Sequence, residues 1–422
     1  MPLFIILITA ALILSYNLDK PFWGHHDWNG VYWGQVAKNF ASYGPVFSRF
    51  GMFVDAGPVT TPSFNFHYLP TFPLIWAGFF KVFGVANWVS RFMAILFSLA
   101  SIAVFYKIIS KYFSIKTAVF ASLFWMATPM FSYFGKMPVH EIPLMFFVLL
   151  TFYFFLANRY LLTAICCTLA MLITWPGFFL VPVLVLFNRK YWVLIPTAFF
   201  LFGLHLTHNY IVTGNFLGGG LGDILQLRTS GGNLAWYLWY AKTLTSWAWA
   251  YYFILVPLSL LGLVVKCNRI TIMFLLFAAL YPIVFRDASS RHDYLLIYFW
   301  PFISLSSALI IRRWQLAVLL ISLFIYFRWD FIVALQESSL YKQSVLIGQA
   351  IKPKTRPGDM VRIISYDEDI PFDGWFASYY SDRPVVYTTD TKTSPDPRYK
   401  DFYVFSDGTI SPGAEINNKG IK

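Results

Sequence analysis

The chain has 422 residues, of which 58% are hydrophobic and only 12% charged, with 21% Phe, Trp and Tyr. A soluble domain carries roughly 25% charge. The mean hydropathy of +0.59 therefore excludes disordered, collagenous and coiled-coil chains and argues against a soluble enzyme. The net charge of +12 would suit a nucleic-acid partner only if the basic residues clustered on one surface. Their positions decide that question.

In chain order, apolar stretches fall at about 3–16, 88–106, 117–133, 142–157, 161–173, 177–187, 191–207, 247–265, 270–285, 294–311 and 315–329. A bilayer core of about 30 Å needs roughly 20 apolar residues per helix, so these read as about eleven transmembrane helices. Thr174-Trp175-Pro176-Gly177 breaks one long run into two short spans. The first stretch has no basic start and no small-residue cleavage site after it, which predicts a retained span rather than a signal peptide. Cys166, Cys167 and Cys267 make no disulfide framework.

Alternate connections hold Lys107, Lys111, Lys116, Arg159, Arg189, Lys190, Lys266, Arg269, Arg312 and Arg313, with no carboxylate among them. Such connections face the cytoplasm. The outer set is then 17–87, 134–141, 174–176, 208–246, 286–293 and the chain after about 330. All nine carboxylates of residues 1–340 and all seven histidines lie on that outer side or at an outer span end. Coupled transporters place ionisable groups near the midplane, so this distribution predicts chemistry at the outer face instead. It also removes nucleic acid as a partner, because the basic residues are topology markers.

Residues 341–422 carry 11 basic and 11 acidic residues and are neutral. A helix over 341–351, strands near 360–365, 384–388 and 401–405, and a short helix near 374–380 predict a small α/β domain. The expected division is 1–335, a transmembrane domain with outer first loop 17–87, and 336–422, the small outer domain.

Four outer stretches carry candidate chemistry. In His25-His26-Asp27-Trp28-Asn29, Asp27 is held among aromatic residues and could act as a general base. The plainer alternative is an N-cap for the helix starting near Trp28. Asn65-Phe66-His67-Tyr68-Leu69-Pro70 leads into an amphipathic, interfacial run, Leu74–Phe83. Lys136 and Glu141 sit five residues apart at a membrane boundary, where snorkelling and helix capping are the plainer roles. Arg286-Asp287-Ala288-Ser289-Ser290-Arg291-His292-Asp293-Tyr294 places two arginines outside, which an anionic ligand such as a lipid phosphate would explain.

In this order, the stretches resemble the polytopic glycosyltransferases of the GT-C fold, most closely the protein O-mannosyltransferase and lipid A aminoarabinose transferase group. The match runs through Asp27 with Ala37, Lys38, Asn39 and Gly44; His67 to Pro73; Phe83-Gly84 and Arg91; Glu141 with Pro143 and Leu144; and Arg291, Tyr294 and Pro301. It covers roughly residues 1–330. Trp28 stands where many relatives have an acid after Asp27, and Glu141 where Asp is usual.

The resemblance implies an all-α membrane domain that moves a sugar from a polyprenyl-phosphate carrier to an acceptor lipid, glycan or protein on the exoplasmic side of the plasma membrane. Asp27 would be the general base and Glu141 would assist it or bind the acceptor. Lys136, Arg291 and His292 would stabilise the leaving phosphate, with His26, His67 and Tyr294 also binding substrate. No cofactor is implied. His25, His26, His140, Asp27 and Glu141 are metal-ligand types, but their spacing matches no zinc or calcium motif, so no metal is assigned. A lipid-sugar flippase or transporter is the alternative, and a non-catalytic scaffold a third reading.

Overall fold

The computed structural model describes residues 1–365, 372–389, 396–405 and 410–412. The chain divides into two compact units. One comprises Met1–Leu18, Asn65–Ile75 and Arg91–Ala334, and the other Asp19–Phe64, Trp76–Ser90 and the chain from Leu335 onward.

The first unit is helical. Among the described residues four helices are long and apolar enough to cross a membrane, or five if the bent pair Leu234–Tyr252 and Leu255–Lys266 is one span. Seven further apolar helices run 10–17 residues. The chain is thus a multi-pass membrane protein, and several of its apolar helices are shorter than a full span. The physical reason is interruption. The expected span 117–133 ends as the helix Ile115–Ala127, and Thr128 starts a new turn, its hydroxyl accepting from the Phe131 N–H before Pro129. The break at residues 174–176 is present: a helix Tyr160–Ile173 gives way to a 3₁₀ segment Trp175–Phe179 and a short helix Leu180–Phe187.

Close backbone approach holds these helices together. A Cβ on Gly262 would lie 2.0 Å from the Ser306 carbonyl oxygen, so only glycine lets Leu255–Lys266 pack on Trp300–Ile310. Gly177 meets the Ala170 carbonyl in the same way, with a Cβ at 2.2 Å. Glu141–Leu156 turns back on Tyr160–Ile173 through Asn158, whose φ of 55° is left-handed.

In the second unit the helix Trp28–Tyr43 and the C-terminal chain share one body, so residues 19–64 and 76–90 pack with the α/β piece. The strand order is Val385–Thr388, Met360–Ser365, Tyr399–Val404, Ile410–Pro412. The first two pairings are parallel and the last antiparallel. Val361, Ile363, Phe402 and Val404 face a small core with Ile347, Ile351 and Ala377 from the helices Lys342–Ile351 and Gly374–Ser381. The alternation expected of half-buried strands puts these residues on one face. All five elements expected here are present, with boundaries shifted by at most two residues. Residues 366–371 and 413–422 lie outside the described residues.

Candidate active site

Tyr68 is the centre of a buried polar cluster in the helical unit. It follows His67 in the segment leading to the helix Thr71–Phe83, and only 7% of it is exposed. The Arg228 guanidinium donates to the Tyr68 hydroxyl at 2.5 Å and lies 4.9 Å from its ring centroid. The Tyr68 ring also meets His140, with centroids 4.3 Å apart. Trp175, fixed by the 3₁₀ break, donates its indole N–H to the His67 carbonyl at 2.7 Å. The interruption at residues 174–176 is therefore part of the site's frame.

Glu141 opens the helix Glu141–Leu156 and is almost fully buried. A carboxylate taken from water needs compensating charge or hydrogen bonds. Arg228 supplies favourable charge, and Tyr298 lies within the same electrostatic neighbourhood. Tyr294 and Tyr281 also feel both Glu141 and Arg228. The cluster thus joins one cation, one carboxylate, two imidazoles and four phenols. Burial pushes His67 down to about 3, with the Arg228 charge adding to the effect. Burial likewise holds His140 well below the usual histidine range, with Arg228 and His67 contributing. Burial thus disfavours the charged form of both imidazoles. The positive charge of the cluster is that of Arg228.

Arg228 sits on the helix Leu221–Thr229, within the segment 208–246 that the charge pattern assigns to the outer side. Sequence reasoning passed over it. Like Arg286 and Arg291, Arg228 is a cation in a segment expected on the outer side, against the cytoplasmic preference, and that is its signal in the sequence. Arg286 donates to the Tyr237 hydroxyl at 2.7 Å and the Thr229 carbonyl at 3.1 Å, so it braces the end of the Arg228 helix.

The remaining candidates are distributed. Lys136 is buried and donates to the Tyr16 carbonyl. Arg291 is paired with Asp287 at 2.9 Å, one helical turn away, and its side chain is largely exposed. His292 lines an apolar cavity of about 410 Å³ together with Tyr281 and Ser289. A second apolar cavity, about 740 Å³, is lined by Trp175, Phe179, Leu225 and Phe285. Leu225 lies one turn before Arg228, so this cavity opens on the same helical face.

Asp27 belongs to the second unit and is 6% exposed. It stands at the start of the helix Trp28–Tyr43, yet its side chain does not cap that helix. Its carboxylate accepts instead from the backbone N–H groups of Trp23 and Gly24, at 3.0 and 2.7 Å. His26 takes the left-handed φ of 57° that folds the chain back for those bonds. The His25 and His26 rings lie side by side, 4.2 Å between centroids, which provides two imidazoles of the three or four ligands a zinc site requires.

Residues 67–209 match the family model of dolichyl-phosphate-mannose-protein mannosyltransferase. The fold is similar to that of ArnT from Cupriavidus metallidurans bound to undecaprenyl phosphate: 13% identity, 95% of this chain, 92% of that chain, TM-score 0.61. The same protein in the apo state matches at 12% identity and TM-score 0.60, over 95% of this chain and 92% of that one. The Archaeoglobus fulgidus oligosaccharyltransferase in complex with Zn and sulfate matches at 15% identity and TM-score 0.57. That match covers 91% of this chain and 62% of the larger one. Among curated proteins no sequence relative is found. The GT-C fold implied by the sequence motifs is therefore the fold of this chain, and the family match begins at His67, the first residue of the buried cluster.

Proposed function

We propose that this chain, a membrane glycosyltransferase of the GT-C fold, moves a sugar from a polyprenyl-phosphate carrier to an acceptor on the exoplasmic side of the plasma membrane. The family match and the undecaprenyl phosphate bound by ArnT support the donor class. The observation that carries the reading within this chain is Arg228. It is a cation held by a tyrosine hydroxyl, with no carboxylate in ion-pair distance among the described residues, on a helix whose Leu225 lines a cavity of apolar and aromatic side chains. A phosphate joined to an isoprenoid chain has that combination of charge and grease.

In the proposed reaction an acceptor oxygen attacks the anomeric carbon of the sugar. The bond from that carbon to the carrier phosphate breaks, and its electron pair leaves with the phosphate. Asp27 receives the acceptor proton. The Trp23 and Gly24 N–H groups fix the orientation of its carboxylate, which supports that role. The transition state is oxocarbenium-like at the sugar, with charge growing on the leaving phosphate. Arg228 and the Tyr68 hydroxyl stabilise that charge, and a buried donor set is worth most where water is excluded. Lys136, Arg291 and His292 are assigned supporting roles toward the phosphate, and His26, His67 and Tyr294 toward the substrate. Glu141 keeps Arg228 and the phenols in register or contacts the acceptor.

The test is binding of undecaprenyl phosphate to the purified protein in nanodiscs, with and without Arg228→Ala. The wild type should bind and the variant should bind about 10- to 100-fold more weakly, as loss of a hydrogen bond to a charged group predicts. Equal binding by the two proteins would remove Arg228 from the donor site.

A further inference from the structure

The second unit contains a cavity of about 690 Å³ that the proposed reaction does not use. Its lining includes Lys38, Lys352, Asp382, Arg383, Gln35 and Asn87. Lys38 and Lys352 both pair with the single carboxylate of Asp382. Arg383 is buried and donates to Thr355 and to the Asp382 carbonyl, all neutral acceptors. Three cations thus face one anion, and the wall carries excess positive charge. Lys352 leaves 54% of its side chain exposed, with donors to spare beyond its bond to Asp382.

The neutral groups narrow the ligand further. Gln35 donates its amide hydrogens to Asn39 and to the Asp55 carbonyl, while its buried Oε1 accepts no hydrogen bond among the described residues. Such an oxygen wants a hydroxyl or amide donor. The Asn87 Oδ1 accepts from Tyr380, and its amide hydrogens have no acceptor among the described residues. The cavity therefore asks for an anion, for hydrogen-bond donors and for acceptors in one compact molecule. Its volume lies within the range of about 300–1,000 Å³ typical of small-ligand sites.

We infer that this cavity binds an acidic saccharide, a sugar chain bearing carboxylates, through the excess charge of Lys352 and Arg383 and the amides of Gln35 and Asn87. Hydroxyl groups satisfy the amides and carboxylates meet the cations. A simple anion uses only the charge, and a neutral sugar only the amides. The inference does not depend on the donor chemistry proposed for Tyr68 and Arg228.

Calorimetry of the purified full chain in nanodiscs tests it with four probes: trigalacturonic acid, maltotriose, inorganic phosphate and triglutamate. Trigalacturonic acid should bind about ten-fold or more tightly than each of the others, and Lys352→Glu, with the protein still folded, should weaken it by a similar factor. The half-exposed position of Lys352 makes that variant compatible with folding. Absence of trigalacturonate binding at millimolar concentration overturns the inference. Equal binding of phosphate shows an anion site only, and equal binding of triglutamate shows an acidic-peptide site; each overturns it. Retained affinity in Lys352→Glu overturns it as well. Undecaprenyl phosphate binding measured on the same preparation reports separately on the donor site.

Discussion

The two units hold their cations differently. In the helical unit Arg228 and Arg286 donate to tyrosine hydroxyls and one backbone carbonyl, and neither has a carboxylate in ion-pair contact among the described residues. In the sheet of the second unit, away from the cavity of Lys352 and Arg383, cations meet carboxylates: Arg362 grips Asp401 with two bonds of 2.8 and 2.7 Å, and Lys400 pairs with Asp359 at 2.6 Å. A cation on neutral partners still attracts an anion, whereas an ion pair has largely spent its field. The difference teaches where to look for a phosphate site and where to expect plain structural bonding. Arg291, paired with Asp287, is the case in the helical unit that follows the second pattern.

The largest effect should come from Asp27, the one residue outside this cation contrast. Asp27→Asn keeps the shape and an acceptor oxygen for the Trp23 and Gly24 N–H groups but cannot take a proton. Transfer measured with a polyprenyl-phosphate sugar should fall about 10²- to 10⁴-fold, with the protein still inserted and folded. Normal turnover would remove Asp27 from the chemistry.

Next in size is Arg362→Ala, which strands a mostly buried Asp401 carboxylate. It should destabilise the sheet by about 3 kcal/mol in denaturant titrations while leaving undecaprenyl phosphate affinity unchanged. A change in that affinity would break the contrast between structural and functional cations. Arg228→Lys keeps the charge but loses the planar fork, so one ammonium must serve both Tyr68 and the phosphate. Donor affinity should drop about 10-fold, less than in Arg228→Ala, and full retention would show that charge alone is at work.

Arg291→Ala should matter least. An exposed ion pair contributes about 0–1 kcal/mol, and a guanidinium already facing Asp287 has little field left for a phosphate. Donor affinity should change by no more than about 5-fold, equivalent to roughly 1 kcal/mol. A loss equal to that of Arg228→Ala would show that the Asp287 pair opens when substrate binds.

Much of this was readable in the amino-acid order. Composition and the cation-bearing connections predicted a polytopic membrane protein, because hydrocarbon imposes strong rules on apolar length and charge. The strands at 360–365 and 385–388 were visible from their period of two, and the break at Thr174-Trp175-Pro176-Gly177 from proline and glycine. His67 and Glu141 were named as candidates from local motifs, and both lie in the buried cluster. Arg228 was missed because it stands some 90 residues from Glu141 and 160 from Tyr68, in a stretch without a motif. No local pattern records a contact of that separation.

Composition at the outset raised nucleic acid, and the order of residues alone was enough to dismiss it, since a basic residue's place along an apolar chain reports topology. Order also determined the membrane class, the α/β character of the C-terminal piece and the GT-C resemblance, all of which follow from periodicity, length and short motifs. Tertiary structure decided what those charges do. It turned the Asp27 side chain away from its helix and onto Trp23 and Gly24, joined residues 19–64 to the C-terminal chain, and put Arg228 rather than Arg291 on a tyrosine. Whether a cation keeps its field depends on the partner packing brings to it, and that partner comes from a distant part of the chain.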